Sequence, residues 1–386
     1  MKMLKTSLKW ILALLVLTVA VLYITDTDYL LKAVRTIYLK GHSTAYLDDY
    51  KQFDNQIVEN GTAQPWPNHV NYNSATETEA LQNINKELGT IAYVIIKNDS
   101  IWFENYYDGY DENSKSNSFS MAKSYVSGLM QKAIEQGHIK SLDQPVADFF
   151  PEFSEGKAAK MTVGDLSSMN SGTNWDEAYY SPLSITTRAY FDDDLEKVIL
   201  GLKVVDEPGQ TYKYASGDTQ LLAMVIEKAT GKELYEYLSE SFWKPLESEN
   251  ATLWQVDSKA HDLVKAYCCI ASNAKDFARY GKLFKDHGKW NGKQILDSAF
   301  VTKSVTPRFP KSPEYGYGWW LIQDHKGKDF FMMRGHLGQY VIVQPDDNVI
   351  IVRLGHQSLK VDESVDAFTE DIYTYIDEGY EMMAQY

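Results

Sequence analysis

The sequence predicts an α+β fold, an antiparallel sheet flanked by helices with a mostly helical second lobe. Three observations predict it. Strand-like segments cluster at both ends of the folded part of the chain, helical periodicity fills the middle, and 386 residues suffice for one large two-lobed unit.

The elements follow in chain order. Ile91–Ile96, then Lys97–Ser100, then Ile101–Phe103 reads as strand, turn, strand. Ala122, Val126, Leu129, Met130 and Ala133 recur at helical spacing within 120–136, and Gly137 supplies the stop. Helical patterns continue through 217–230, 233–243 and 273–286, and Asp192-Asp193-Asp194 puts favourable negative charge at the start of another. The chain returns to strands at Tyr315–Gln323, Phe330–Gln344 and Val349–Gly355, with Pro345–Asn348 turning the last two into a hairpin. A final helix is expected over about 362–384.

Ahead of this unit, Lys2, Lys5 and Lys9 precede a run from Trp10 to Ile24 that is apolar except for Thr18. A basic head before an apolar run has the pattern of an export signal. Fifteen residues give about 22 Å of helix, short of the roughly 30 Å hydrocarbon core of a bilayer. Leu22-Tyr23-Ile24-Thr25-Asp26 lacks the small residues of a cleavage site, so an uncleaved membrane anchor is favoured over a cleaved signal. Lys32, Arg35 and Lys40 balance the cations on the other side, and charge therefore assigns no orientation. Leu30, Leu31, Val34, Ile37 and Tyr38 form an apolar face that lies on a membrane surface or caps the domain. The expected organisation is a basic segment over 1–9, a transmembrane or signal segment over 10–25, an extended arm over 26–80, and a folded domain over 81–386 whose helical lobe spans about 140–300.

Hydrophobic residues make up 44% and aromatic residues 13% of the chain, enough for a real core. A net charge of −15 argues against a nucleic-acid partner, which would need a basic face. The two cysteines, Cys268 and Cys269, are adjacent and read as small buried thiols rather than a disulfide framework. No Cys/His cluster has metal-ligand spacing, so neither metal nor cofactor is expected.

Ser120-Met121-Ala122-Lys123 opens the helix after the first hairpin. Positions i and i+3 share a helix face, so hydroxyl and amine can meet, and the helix N-terminus favours the neutral amine a general base requires. The spacing alone is weak, since Ser154-x-x-Lys157 and Ser272-x-x-Lys275 repeat it, with Ser272 better explained as a helix N-cap. Two further segments add weight. Tyr212-Lys213-Tyr214-Ala215-Ser216-Gly217 follows a Pro-Gly turn, and Gly335-His336-Leu337-Gly338-Gln339 sits within a C-terminal strand, where glycine can mark close approach of a ligand.

Taken in order, serine-x-x-lysine, tyrosine-x-serine and histidine-x-glycine resemble the three-part signature of the serine β-lactamases and penicillin-binding proteins. The resemblance is to their class C-related branch, which includes 6-aminohexanoate-dimer hydrolases, D-aminopeptidases and carboxylesterases. It extends to Met161–Gly172, Glu207-Pro208-Gly209, Phe242–Leu246 and Ala274–Gly281, and covers about residues 80–380. Trp175-Asp176-Glu177 and the stretch before Tyr46-Leu47-Asp48-Asp49-Tyr50 point to the 6-aminohexanoate-dimer-hydrolase-like subgroup.

The resemblance implies a β-lactamase/DD-peptidase-like fold and acyl transfer to Ser120 followed by hydrolysis of a small amide or ester. Lys123 would take or relay the serine proton. Tyr214, its pKa lowered by a protonated lysine, would act as acid to the leaving group and as base for the deacylating water. The oxyanion hole would be the backbone N–H groups of Ser120 and Gln339. Ser216, His336, Gly338, Tyr179 and Tyr180 would contact substrate. Ser216 stands where the family often has asparagine, and His336 where penicillin-recognising members have lysine. Histidine is only partly charged near neutrality, which weakens the case for β-lactam or cell-wall-peptide turnover. The alternatives are a D,D-carboxypeptidase or class C-like β-lactamase, and a non-catalytic membrane-anchored receptor for a peptide or β-lactam. The domain would lie outside the cytoplasm, anchored, or secreted if the signal is cleaved.

Overall fold

The computed structural model describes residues 2–360 and 367–385. Its centre is a six-stranded, wholly antiparallel sheet built from the strands β1 (Thr90–Lys97), β2 (Ser100–Tyr106), β3 (Trp320–His325), β4 (Lys328–Gly335), β5 (Gln339–Gln344) and β6 (Val349–Gly355). Their order across the sheet is β2-β1-β6-β5-β4-β3. The two ends of the chain meet where β6 pairs with β1, with Ile351 opposite Ile95 and Val352 opposite Val94.

Alternation along these strands sends side chains to two separate cores. Val94, Ile96, Val341, Val343, Ile350 and Val352 face the helix Ala274–Lys285 through Phe277 and Ala278. Tyr93, Ile95, Tyr340, Ile342 and Ile351 face the C-terminal helix Glu370–Ala384 through Ile372, Tyr375 and Ile376. Sequences apolar at nearly every position are what a sheet covered on both faces needs. The helical lobe lies on the first side. Its centre is a pair of packed helices, Ala122–Glu135 and Ser216–Thr230, both lined by buried side chains.

A second, four-stranded sheet joins the N-terminal region to this lobe. Asn55–Val58 pairs with Thr252–Gln255, which pairs with Ile270–Ser272, which pairs with Ser116–Asn117. The last of these strands leads directly into the turn that carries Ser120.

Several boundaries differ from the sequence reading. The apolar N-terminal helix runs from Lys2 to Ile24, with Met3–Ile24 long and apolar enough to cross a membrane and none of it buried. Twenty-three helical residues span about 34 Å; the three lysines continue the helix that the apolar run alone left short. The expected strand Tyr315–Gln323 begins only at Trp320 and reaches His325. The expected strand Phe330–Gln344 is two strands, β4 and β5, separated by a turn at 336–338. The helical pattern at 233–243 is a short helix, Leu234–Leu238, continued by a π-helical turn. The final helix starts at Glu370; residues 361–366 of the expected span lie outside the described residues. Asn273 rather than Ser272 caps Ala274–Lys285, its side chain accepting from the N–H of Asp276, while Ser272 ends a strand. A disulfide joins Cys268 and Cys269, where two thiols were expected. Cys269 adopts a left-handed φ of +77°, part of the tight turn that brings the two neighbours together.

Candidate active site

Ser120 is presented by a tightly fixed turn. The single 3₁₀ turn Phe119–Met121 leads into the helix Ala122–Glu135. Phe119 sits at φ +45°, a region that side-chain-bearing residues enter only when their surroundings enforce it. The enforcement comes from the small sheet: Ser118 N–H donates to Ile270 O at 2.7 Å, and Phe119 N–H to Asn117 Oδ1 at 2.9 Å. β4 leans on the same turn. A Cβ at Gly335 would stand 2.2 Å from the Ser118 carbonyl oxygen, so only glycine lets this strand end approach Ser120.

Lys123 follows on the same helix face. Its Nζ is 2.7 Å from Ser120 Oγ and 2.8 Å from the carbonyl oxygen of Tyr267, to which it donates. The ammonium side chain is buried, and desolvation lowers its pKa to about 8, opposed by the nearby charge of Glu177. The neutral amine is therefore well populated at mildly alkaline pH. Neither rival Ser-x-x-Lys makes such a pair: Ser154 Oγ donates to Pro151 O, and Lys275 binds Glu112.

Tyr214 closes the triad, within hydrogen-bonding contact of Ser120 and with its ring 5.1 Å from Lys123 Nζ. Here the structure corrects the expected lowered phenol. Burial and then the Glu177 charge push Tyr214 well above the ordinary tyrosine value, and the Ser120 hydrogen bond and Arg334 only partly oppose them. The resting phenol keeps its proton.

Glu177 is the organising group that sequence reasoning valued only as a mark of subgroup likeness. Its carboxylate accepts from Trp175 Nε1 at 2.6 Å, the Tyr179 hydroxyl at 2.5 Å, the Ser216 N–H at 2.9 Å and the Ser216 hydroxyl at 2.5 Å. The signal was available in a Trp-x-Glu beside two tyrosines. What the sequence did not show was the fold that brings Ser216 to it. The Ser216 hydroxyl is thereby committed to Glu177.

His336 lies against Phe119, Tyr179 and Tyr180, with ring centroids 5.5, 5.0 and 6.3 Å away. Burial lowers its pKa to about 4, and Nε2 has no partner among the described residues. A partly charged histidine was expected; an aromatic cage makes it neutral instead. Gly338 does not approach the cleft. It has φ +82°, and a Cβ there would meet Arg353 Nη1 at 2.2 Å. The buried Arg353 guanidinium donates to the carbonyls of Leu337, Gly338 and Gln357, pinning the 336–338 turn. Gln339 begins β5 opposite Gly335, and its side chain is spent on Gly355 and His336 carbonyls, leaving its backbone as the part able to act.

Two chambers meet at Ser120, Tyr179 and His336. The larger, about 700 Å³, also holds Lys213, Tyr214, Glu314 and Arg334. The other, about 280 Å³, is walled mainly by apolar groups. Arg334, the cation facing the larger cleft just before the histidine, was not singled out from sequence. Among the described residues no His, Cys, Asp and Glu side chains form a group able to hold a metal ion.

The family model for beta-lactamase matches residues 75–373, well over half of the sequence. The chain belongs to the beta-lactamase family. This beta-lactamase-family protein is 23% identical over 303 residues to 6-aminohexanoate-dimer hydrolase of Paenarthrobacter ureafaciens, a match covering 72% of this chain and 76% of that one. Its fold is shared with a putative 6-aminohexanoate-dimer hydrolase from Bacillus anthracis, with TM-score 0.72, 21% identity and 88% and 94% of the two chains covered. A D-stereospecific amidohydrolase from Streptomyces sp. aligns with TM-score 0.57 and 16% identity over 74% and 92%. The β-lactamase/DD-peptidase-like architecture read from the sequence is thus the architecture of this family member.

Proposed function

We propose that this protein is a serine hydrolase that forms an acyl-enzyme on Ser120 and hydrolyses an amide or ester, in the manner of the 6-aminohexanoate-dimer hydrolases and esterases of its family. The observation carrying this reading is the desolvated Lys123 amine 2.7 Å from the serine hydroxyl. A pure binder has no use for a buried lysine whose pKa of about 8 lets it serve as a base beside an alcohol.

In the proposed reaction neutral Lys123 takes the Ser120 proton as Oγ attacks the substrate carbonyl, its orientation fixed by the Tyr267 carbonyl. The backbone N–H groups of Ser120 and Gln339 receive the developing oxyanion. Tyr214, protonated at rest, gives its proton to the departing amine or alcohol as the bond from carbonyl carbon to leaving group breaks. The phenolate so formed regains a proton from water as that water attacks the acyl-enzyme. Lys123 returns its proton to Ser120 Oγ as the acid is released.

A neutral His336 offers no charge at the position where penicillin-recognising members carry lysine, which counts against the D,D-carboxypeptidase and β-lactamase readings, while Arg334 and Lys213 are the cations that face the cleft. The N-terminal helix serves in this proposal as a membrane anchor, with the hydrolase domain on the extracytoplasmic side. Turnover of p-nitrophenyl esters and D-amino-acid amides, compared between wild type and Ser120→Ala, tests the proposal. A loss of at least about a thousandfold is expected; equal activity in the two proteins would overturn it.

A further inference from the structure

The apolar chamber beside Ser120 owes one of its walls to the segment next to the membrane anchor. Label the apolar helix Lys2–Ile24 α1 and the helix Tyr29–Thr36 α2. Leu30, Ala33 and Val34 of α2, with Ile37 just beyond it, all line this chamber. Those positions are i, i+3, i+4 and i+7, one helical face. Across from them stand Tyr180, Pro182, Tyr190 and Phe191 of the helical lobe. Of the apolar face drawn from the sequence, Leu30, Val34, Ile37 and Tyr38 line the chamber that reaches Ser120, with Val34 and Tyr38 at its exposed rim.

α2 is held firmly in that place. Lys32 Nζ bonds Asp193 at 2.6 Å and the Asp257 carbonyl at 2.8 Å, and the Tyr29 hydroxyl donates to Pro182 O at 3.1 Å. Asp26, in the short link from α1, pairs with Arg188 and Lys197. Only residues 25–28 separate α1 from α2, and Leu30, the second residue of α2, already lines the chamber, so the chamber begins six residues after the end of the exposed apolar helix. Val34, Tyr38 and Tyr180, which line the chamber, are exposed apolar side chains. Such a patch next to an anchor is suited to a lipid surface rather than to water.

The chemistry gives the two chambers different occupants. Tyr214, the proposed acid for the leaving group, lines the larger chamber with Lys213, Glu314 and Arg334, and does not line the apolar one. A leaving group placed to receive its proton therefore occupies the polar cleft. The acyl portion is left to the apolar chamber.

We infer that the substrate is an ester or amide of an aliphatic acyl chain with a polar leaving group, its chain entering the α2-walled chamber from the bilayer in which α1 is anchored. This rests on the serine hydrolase reading and names its substrate class. Ser120 Oγ bonds the acyl carbon, the bond to the alcohol or amine breaks with proton transfer from Tyr214, and water then releases the fatty acid.

Full-length protein in lipid nanodiscs, assayed with p-nitrophenyl acetate, butyrate and octanoate, tests the inference. kcat/KM is expected to rise about two- to fourfold for each added methylene until the chamber fills. Ala33→Trp, which blocks the chamber, and Val34→Asp, at an exposed position that tolerates substitution, should each lower the octanoate-to-acetate ratio at least tenfold. A wild-type ratio near one, or a ratio unmoved by both variants, overturns the inference while acetate turnover and Ser120 labelling by a fluorophosphonate still uphold the hydrolase. If no ester is turned over and Ser120 stays unlabelled, the hydrolase reading falls, and the chamber is judged by binding of 11-(dansylamino)undecanoate. Binding lost in Val34→Asp then supports an acyl site, and no binding to the wild type refutes it.

Discussion

Replacing Lys123 by methionine should stop turnover and also expose how much stability the buried amine costs. Its pKa falls from 10.5 to about 8 on folding because burial disfavours the ammonium. Below pH 8 the side chain is protonated in both states, and the native state carries the full burden, about 3 kcal/mol for a shift of this size. Between the folded and unfolded values the unfolded chain binds more protons than the native one, so native stability rises with pH. Above 10.5 the burden is gone. For these two values the wild type should gain about 2.5 kcal/mol on Lys123→Met between pH 7 and pH 10. The lost hydrogen bond to the Tyr267 carbonyl is common to every pH and cancels in this comparison. Urea unfolding of both proteins, followed by tryptophan fluorescence across that range, measures it. A gap that stays constant within about 0.5 kcal/mol would show an amine with an ordinary pKa and would refute the account of Lys123 as a base.

The same shift predicts that kcat/KM rises with pH along a limb centred near 8, set by the free enzyme; a limb above about 9.5 would contradict it. Because the Glu177 charge raises both Lys123 and Tyr214, Glu177→Gln should move that limb to lower pH as well as reduce activity, whereas a limb that stays or moves up contradicts the assignment. His336 should stay neutral down to about pH 4, read by the ring resonances of the histidine-labelled protein, and a midpoint near 6.5 would mean the aromatic cage is open in solution. Gly338→Ala puts a Cβ against Arg353 at a left-handed φ and should cost about 2 kcal/mol or more in urea unfolding with loss of activity; a near-neutral effect would show that the 336–338 turn is not pinned as described.

Much of this was legible in the sequence because the patterns are strong. The helices on either side of the sheet repeat at 3.6 residues, whereas β1 and β6 are short runs apolar at nearly every position, told from helix by their length, their β-branched residues and the turns that bound them. The Ser120, Lys123 and Tyr214 convergence was readable only from the order of three motifs, since each alone has a plain structural explanation. The turn at 336–338 was not readable. It carries no Asn-Gly or Pro-Gly signal, and Leu337 is held at φ +63° beside the buried arginine from β6, a partner distant in sequence. The direction of the Tyr214 shift was missed for the same reason, because burial and a carboxylate brought in by the 175–180 segment are tertiary facts. The inward-facing side of α2 could be drawn as a stripe from the sequence, but what it covers needs the coordinates.

The central claim is that Ser120 carries an acyl group during turnover. Rapid acid quench of the full-length protein with a p-nitrophenyl ester, followed by peptide mass spectrometry, tests it most directly. The account predicts the acyl mass on the peptide containing Ser120 and none in Ser120→Ala. An acyl group on another residue, or unimpaired hydrolysis by the alanine variant, would contradict it.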